Sequence, residues 1–193
     1  MVFRGDVLDS EYQAIRATEE TLISSQIAFW RTHVLFSFEW WFLVLMSILL
    51  WTIWWKTVDR GRLPQIVMFG GAVLIVTTLL DGMGAQLLLW DYPVQLTPTY
   101  SRFIPVDFVA LPVSYMWVYQ YFRSWRSFLI SVSATSALFS FVLEPLATSM
   151  GLYVPLHWKS IYSFPIYTLI GIIVRMVVEA IFSNGQNALR KSS

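Results

Sequence analysis

The chain has no cysteine, which removes disulfides, thiolate nucleophiles and cysteine-ligated metals from consideration. It is also poor in charge. Only 13% of its 193 residues are Asp, Glu, Lys or Arg, and the net charge is +1. A nucleic-acid surface needs a basic stripe, which this balance does not supply. Two histidines, His33 and His157, stand without ligand spacing, so no metal and no cofactor is expected. A Walker loop, a dinucleotide fingerprint, HExxH and GxSxG are all absent. ATP-driven transport by this chain alone, nucleotide redox chemistry and zinc or serine hydrolysis therefore lack support. The first thirty residues carry Asp6, Asp9, Glu11, Glu19 and Glu20, unlike the basic leader and apolar core of a cleavable signal peptide. The first spanning helix is expected to act as its own insertion signal.

What the chain does have is apolar mass. Hydrophobic residues make up 56% of it, with ten Trp, nine Tyr and fourteen Phe, and the mean hydropathy is +0.59. A soluble domain of this length is far less apolar, so the chain belongs in a bilayer. Aromatic rings at the ends of the apolar runs fit interfacial anchoring. The expected fold is an all-α polytopic transmembrane bundle of about five spanning helices, near residues 34–55, 64–90, 103–122, 127–149 and 160–182, each near the ~20 residues a crossing needs. Residues 1–33 form an N-terminal tail and amphipathic helix, 34–182 the bundle, and 183–193 a C-terminal tail. The stretch SEYQAIRATEETLISSQIAFW, after a cap at Asp9 or Ser10, reads as an interfacial helix or as an extension of the first span.

Orientation follows from the basic residues. One set of connections holds Lys56, Arg60, Arg62, Arg123, Arg126, Arg190 and Lys191; the other holds Arg4, Arg16, Arg31, Arg102 and Lys159, three of them in a net-acidic tail. The bias predicts a cytoplasmic C-terminus and an outside N-terminus. Arg175 and Glu179, four apart in the fifth span, read as a structural ion pair.

The acids then cluster. Glu39, Asp107 and Glu144 fall about four or five residues inside the outer ends of the first, third and fourth spans, or ~6 to 8 Å deep, and Asp81 lies about nine residues down the second. An ionised carboxylate facing lipid costs roughly 2.5 to 3.5 kcal/mol on insertion scales. These four are expected to turn inward as the polar centre of an outward-facing cavity. Pro145, directly after Glu144, loosens the helix there, and DGMG at 81–84 permits close approach beside Asp81. Trp90, Asp91, Tyr92, Arg102, Trp158, Lys159 and Tyr162 form the expected rim. Beside this stands the reading of the same rings as interface anchors and of the acids as a structural hydrogen-bond network.

LLLWDYP, IPVDF, YQYF with a Trp three residues on, FVLEPL and HWKSIYSFPIY together resemble an uncharacterised family of small polytopic membrane proteins of spore-forming Bacillus-type bacteria, from about Phe36 to the fifth span. That resemblance implies a five- or six-helix bundle in a bacterial plasma membrane and carries no function. The kind of site is also similar to membrane-embedded terpenoid and carotenoid cyclases, in which carboxylic acids protonate a prenyl substrate and aromatics stabilise the cation. Three functions follow as expectations. The first is a non-enzymatic cavity that binds or moves a cation, proton or small amphipathic molecule. The second is a lipid-phase cyclase or isomerase, and the third a structural subunit pairing with a membrane-protein partner or a second copy. The expected partners are the lipid bilayer and a small hydrophobic or cationic ligand.

Overall fold

A computed structural model describes residues 2–98 and 104–192, with side chains for 9–98 and 104–183. It is an all-α bundle. Helix α1 (Val2–Phe29) runs through a π-helical turn at Trp30–Val34 and then stops. Phe36, at φ 63°, breaks the chain before α2 (Phe38–Thr57), which Ser37 caps by accepting from the Trp40 N–H. The first segment is therefore a separate helix and not an extension of the first span. It begins at Val2, ahead of the expected cap at Asp9 or Ser10, and its side chains from Asp9 to Ser25 are exposed.

After α2 come α3 (Leu63–Gln86), α4 (Leu111–Tyr121), α5 (Trp125–Leu138), α6 (Glu144–Ser149) and α7 (Ser160–Ser192). Residues expected to form a C-terminal tail continue α7, since nothing after Phe182 includes a proline to stop it. Among the described residues four helical stretches are long and apolar enough to cross a membrane: Phe38–Thr57, Arg60–Gln86, Trp125–Ser149 and Ser160–Ser183. The expected third span differs. Its helical part, a π-helical turn at Pro105–Ala110 followed by α4, is shorter and lies at the centre of the bundle. Leu111, Val113, Tyr115, Met116 and Tyr119 are all buried. A central helix contacts protein on every side and does not need the apolar length of one that meets lipid.

The helices alternate in direction, as their connections show. Asp59, between α2 and α3, bonds the α4 end through Gln120 and forms an ion pair with Arg123 at 3.3 Å. At the opposite end a two-residue antiparallel ribbon joins β1 (Trp90–Asp91) to β2 (Val154–Pro155). Both helices that feed this ribbon close in the same way. At the α3 end Leu88 N–H bonds Ala85 O and Leu89 N–H bonds Gly84 O; after α6 Gly151 N–H bonds Thr148 O and Leu152 N–H bonds Ala147 O. These paired bonds are Schellman caps, which need a left-handed residue, supplied here by Leu88 at φ 54° and Gly151 at φ 70°. Gly151→Val is expected to cost about 1 to 2 kcal/mol through backbone strain alone, because a Cβ there meets nothing within 4 Å. A denaturant titration in mixed micelles measures it.

Two further local rules shape the interior. Each π-helical turn in the bundle precedes a proline: Leu111 N–H reaches back to Val106 O just before Pro112, and Glu144 N–H to Phe139 O just before Pro145. A proline cannot donate to the carbonyl four residues back and its ring crowds that carbonyl, so the ladder slips by one residue. Packing between helices uses small residues. A Cβ at Gly70 would collide with Met116, and one at Gly171 would meet Val132. In lipid, such close packing supplies much of the association energy. Phe69 stacks on Tyr119 at 4.4 Å, with Phe128 edge-on.

Candidate functional site

A cavity of about 300 Å³ lies at the ribbon end of the bundle. Asp81 from α3, Asp107 from the π-helical turn before α4 and Glu144 from the start of α6 all line it. Asp81 is 8% exposed and Asp107 4%. Three of the four expected acids, from three different helical segments, share one hollow.

Asp81 is held by two side-chain donors. Its Oδ1 accepts from the Trp90 indole N–H at 2.8 Å and from the Tyr92 hydroxyl, while its Oδ2 has no hydrogen-bond partner. Trp90 reaches it because the α3 cap turns the chain back and because Gly84 offers no side chain; a Cβ there would overlap the Trp90 ring. Trp158 packs edge-on to Trp90 at 4.9 Å and donates its own N–H to Ser163 at 2.8 Å. The ribbon thus folds a roof of rings over the acid. Burial, and then the charges of Asp81 and Asp107, hold the Tyr92 phenol well above its ordinary pKa, so it remains a donor.

Glu144 is held from α7. The Tyr167 hydroxyl donates to its Oε1 at 3.1 Å, the Ser160 and Ser163 hydroxyls stand close to the carboxyl, and Oε2 is buried without a hydrogen bond. Tyr115, at the bundle centre, bonds both the Ser136 hydroxyl and the Tyr167 carbonyl at 2.9 Å, fixing α7 against α4 and α5. Thr77 approaches the Asp107 carbonyl at 3.4 Å.

Several expected residues fall elsewhere. Glu39 sits half-buried on α2, which packs at the edge of the bundle, and it does not line the cavity. As an acid in the first turn of α2 it interacts favourably with the helix dipole. Asp91 is exposed and accepts from the Tyr92 backbone N–H, Lys159 is exposed, and Tyr162 packs outside Trp158 at 5.4 Å. None of these three lines the cavity. Arg102 lies outside the described residues. Of the expected rim, Trp90, Tyr92 and Trp158 are in place. Tyr153 and Tyr167 line it as well and were not among the expected rim; their signal was position, in the same aromatic stretch as Trp158.

The remaining walls are mostly apolar, with Thr77 and Ser163 among them, and part of them is the outer surface. Leu80 and Met83 of α3 and Leu87 at its C-cap, on one stripe, line the cavity while 42%, 59% and 68% exposed. Among the described residues no three His, Asp or Glu side chains are placed to hold one metal ion. The three acids share a hollow without converging on a point.

Arg175 and Glu179 pair at 2.7 Å, as expected, midway along α7 and beside the α4–α5 turn, outside the cavity lining. The same guanidinium donates to the carbonyls of Phe122 and Arg123 at 3.2 and 2.6 Å and lies over the Trp125 and Phe128 rings at 4.4 Å.

Comparison with protein-family models, with curated proteins and with solved structures finds no match for this chain.

Proposed function

We propose that this is a membrane-embedded binding protein, non-enzymatic, whose acidic, aromatic-roofed cavity holds a small amphipathic molecule. One observation carries the reading: acids from three passes line a single hollow whose remaining walls are mostly apolar and continue onto the exposed edge of α3. A volume near 300 Å³ is at the small end of ligand pockets, and a few polar groups in an apolar lining are what such pockets use. The exposed leucines and methionine of α3 would face acyl chains, so the molecule would enter sideways from the lipid. On the distribution of basic residues and the resemblance in the sequence, the protein sits in a bacterial plasma membrane with the cavity in the outer half, N-terminus outside and C-terminus cytoplasmic.

The test uses three probes with eight-carbon chains, octyltrimethylammonium, 1-octanol and octanoate, on protein in zwitterionic nanodiscs, with empty discs subtracted. At least one should saturate at one per chain, and Ala147→Trp, which fills the cavity from α6, should abolish that binding while helicity is retained. Linear partitioning of all three, or binding indifferent to Ala147→Trp, would contradict the reading.

A further inference from the structure

Resting on that reading, we propose that the cavity is a site for a lipophilic ammonium: a molecule with one bulky organic cation and a single apolar chain. The argument starts from Asp81, which is more than nine-tenths buried. Its Oδ1 is already saturated by two neutral donors, Trp90 and Tyr92, and its Oδ2 has no hydrogen-bond partner. Glu144 is similar though less isolated: Tyr167 donates to Oε1, the Ser160 and Ser163 hydroxyls stand close to the carboxyl, and the buried Oε2 makes no hydrogen bond. A buried carboxyl oxygen left without a partner is costly, and the partner that relieves it best is a cation. The hydrogen-bond partners that hold Asp81 and Glu144 in the described structure are all uncharged.

Size then selects the kind of cation. A metal ion needs several ligands meeting at one point, and the described acids do not provide that. A proton alone does not need a hollow of about 300 Å³. An organic ammonium does: its charge is spread over a bulky head that several separated carboxylates can face, and it tolerates apolar contact. The rings lining the same space, Trp90, Tyr92, Tyr153, Trp158, Phe139 and Tyr167, supply the negative π faces that attract such heads. The chain of the ligand would leave along Leu80, Met83 and Leu87, the stripe that is both wall and outer surface. An anionic amphiphile would place its charge against buried carboxylates, and a neutral alcohol offers one donor and no charge.

The same three probes separate this inference from the reading beneath it. Octyltrimethylammonium should bind at least tenfold more tightly than 1-octanol or octanoate. Asp81→Asn and Glu144→Gln, which keep the oxygens that Trp90, Tyr92 and Tyr167 donate to, should each weaken it about tenfold or more. Glu39→Gln, on the edge helix, should leave it within twofold. Saturable binding of 1-octanol or octanoate equal to that of the ammonium would overturn the ammonium inference and leave the cavity standing. Unaltered ammonium binding in both Asp81→Asn and Glu144→Gln would overturn it as well. Failure of all three probes to saturate would remove both.

Discussion

Arg175→Met should lower the unfolding free energy by about 3 kcal/mol, the low end of the range for removing one member of a buried ion pair. The guanidinium is only 4% exposed and serves three acceptors on two elements: Glu179 on its own helix and the carbonyls of Phe122 and Arg123 in the α4–α5 turn. Methionine fills the volume among Trp125 and Phe128 but leaves both carbonyls unsatisfied. Glu179 is partly exposed and can be hydrated, which is why the upper end of the range does not apply. Arg175→Lys keeps the charge but not the planar fork, so it should lose a substantial part of the same stability. Reversible unfolding in mixed micelles reads the difference. An Arg175→Met midpoint equal to wild type would mean that the clamp does not hold α7. Ligand binding should suffer only through stability, since Arg175 does not line the cavity and faces the α4–α5 turn.

Gly84→Ala should act at the cavity directly. A single methyl there overlaps the Trp90 ring, which is held on its other edge by Trp158 and by the 2.8 Å bond to Asp81. The indole must move, and the displacement breaks that bond and opens the roof. The expected result is a loss of about 2 kcal/mol in stability, from overpacking and the lost hydrogen bond, together with at least tenfold weaker binding of the ammonium probe. Gly71→Ala is the matched comparison, since its Cβ meets nothing within 4 Å. It should be neutral or stabilise α3 by up to ~1 kcal/mol, as alanine is the better helix former. If Gly84→Ala behaved like Gly71→Ala, Trp90 would not occupy the position that shapes the roof.

Much of this was legible in the sequence for a simple reason. Length, apolarity and the cost of charge in lipid act on any helix that crosses a membrane, so the four long apolar helices and the shared level of Asp81, Asp107 and Glu144 along the bundle follow from counting residues. Counting gives depth and not direction. Glu39 shares the depth of Glu144, but α2 is an edge helix, and which helix lies at the edge depends on tertiary packing that no periodicity in so uniformly apolar a run reveals. The same uniformity concealed the central place of α4, whose Pro105 and Pro112 marked irregular backbone without saying that protein would surround it. Pro145 gave a clearer signal, and the slipped ladder before it is the physical consequence.

The ribbon is the part the sequence hid best. Trp90–Asp91 and Val154–Pro155 are two residues each, far too short to alternate, and they pair across more than sixty positions. Their pairing depends on two helix caps, one built on Gly151, a usual choice, and one on Leu88, a residue that seldom takes a left-handed conformation. The hydrogen bond from Tyr167 to Glu144 was hidden for a similar reason: it spans separate passes and depends on the register that Tyr115 and Gly171 impose on α7.

The central claim is that acids from separate passes share one hollow, and the absence of cysteine allows it to be tested without background. Asp81→Cys with Glu144→Cys, in nanodiscs, is treated with a short rigid bismaleimide and the intramolecular cross-link is read by mass spectrometry. The pair should cross-link efficiently, and Glu39→Cys with Glu144→Cys should not. Cross-linking of the Glu39 pair but not the Asp81 pair would place Glu144 beside the edge helix and contradict the account.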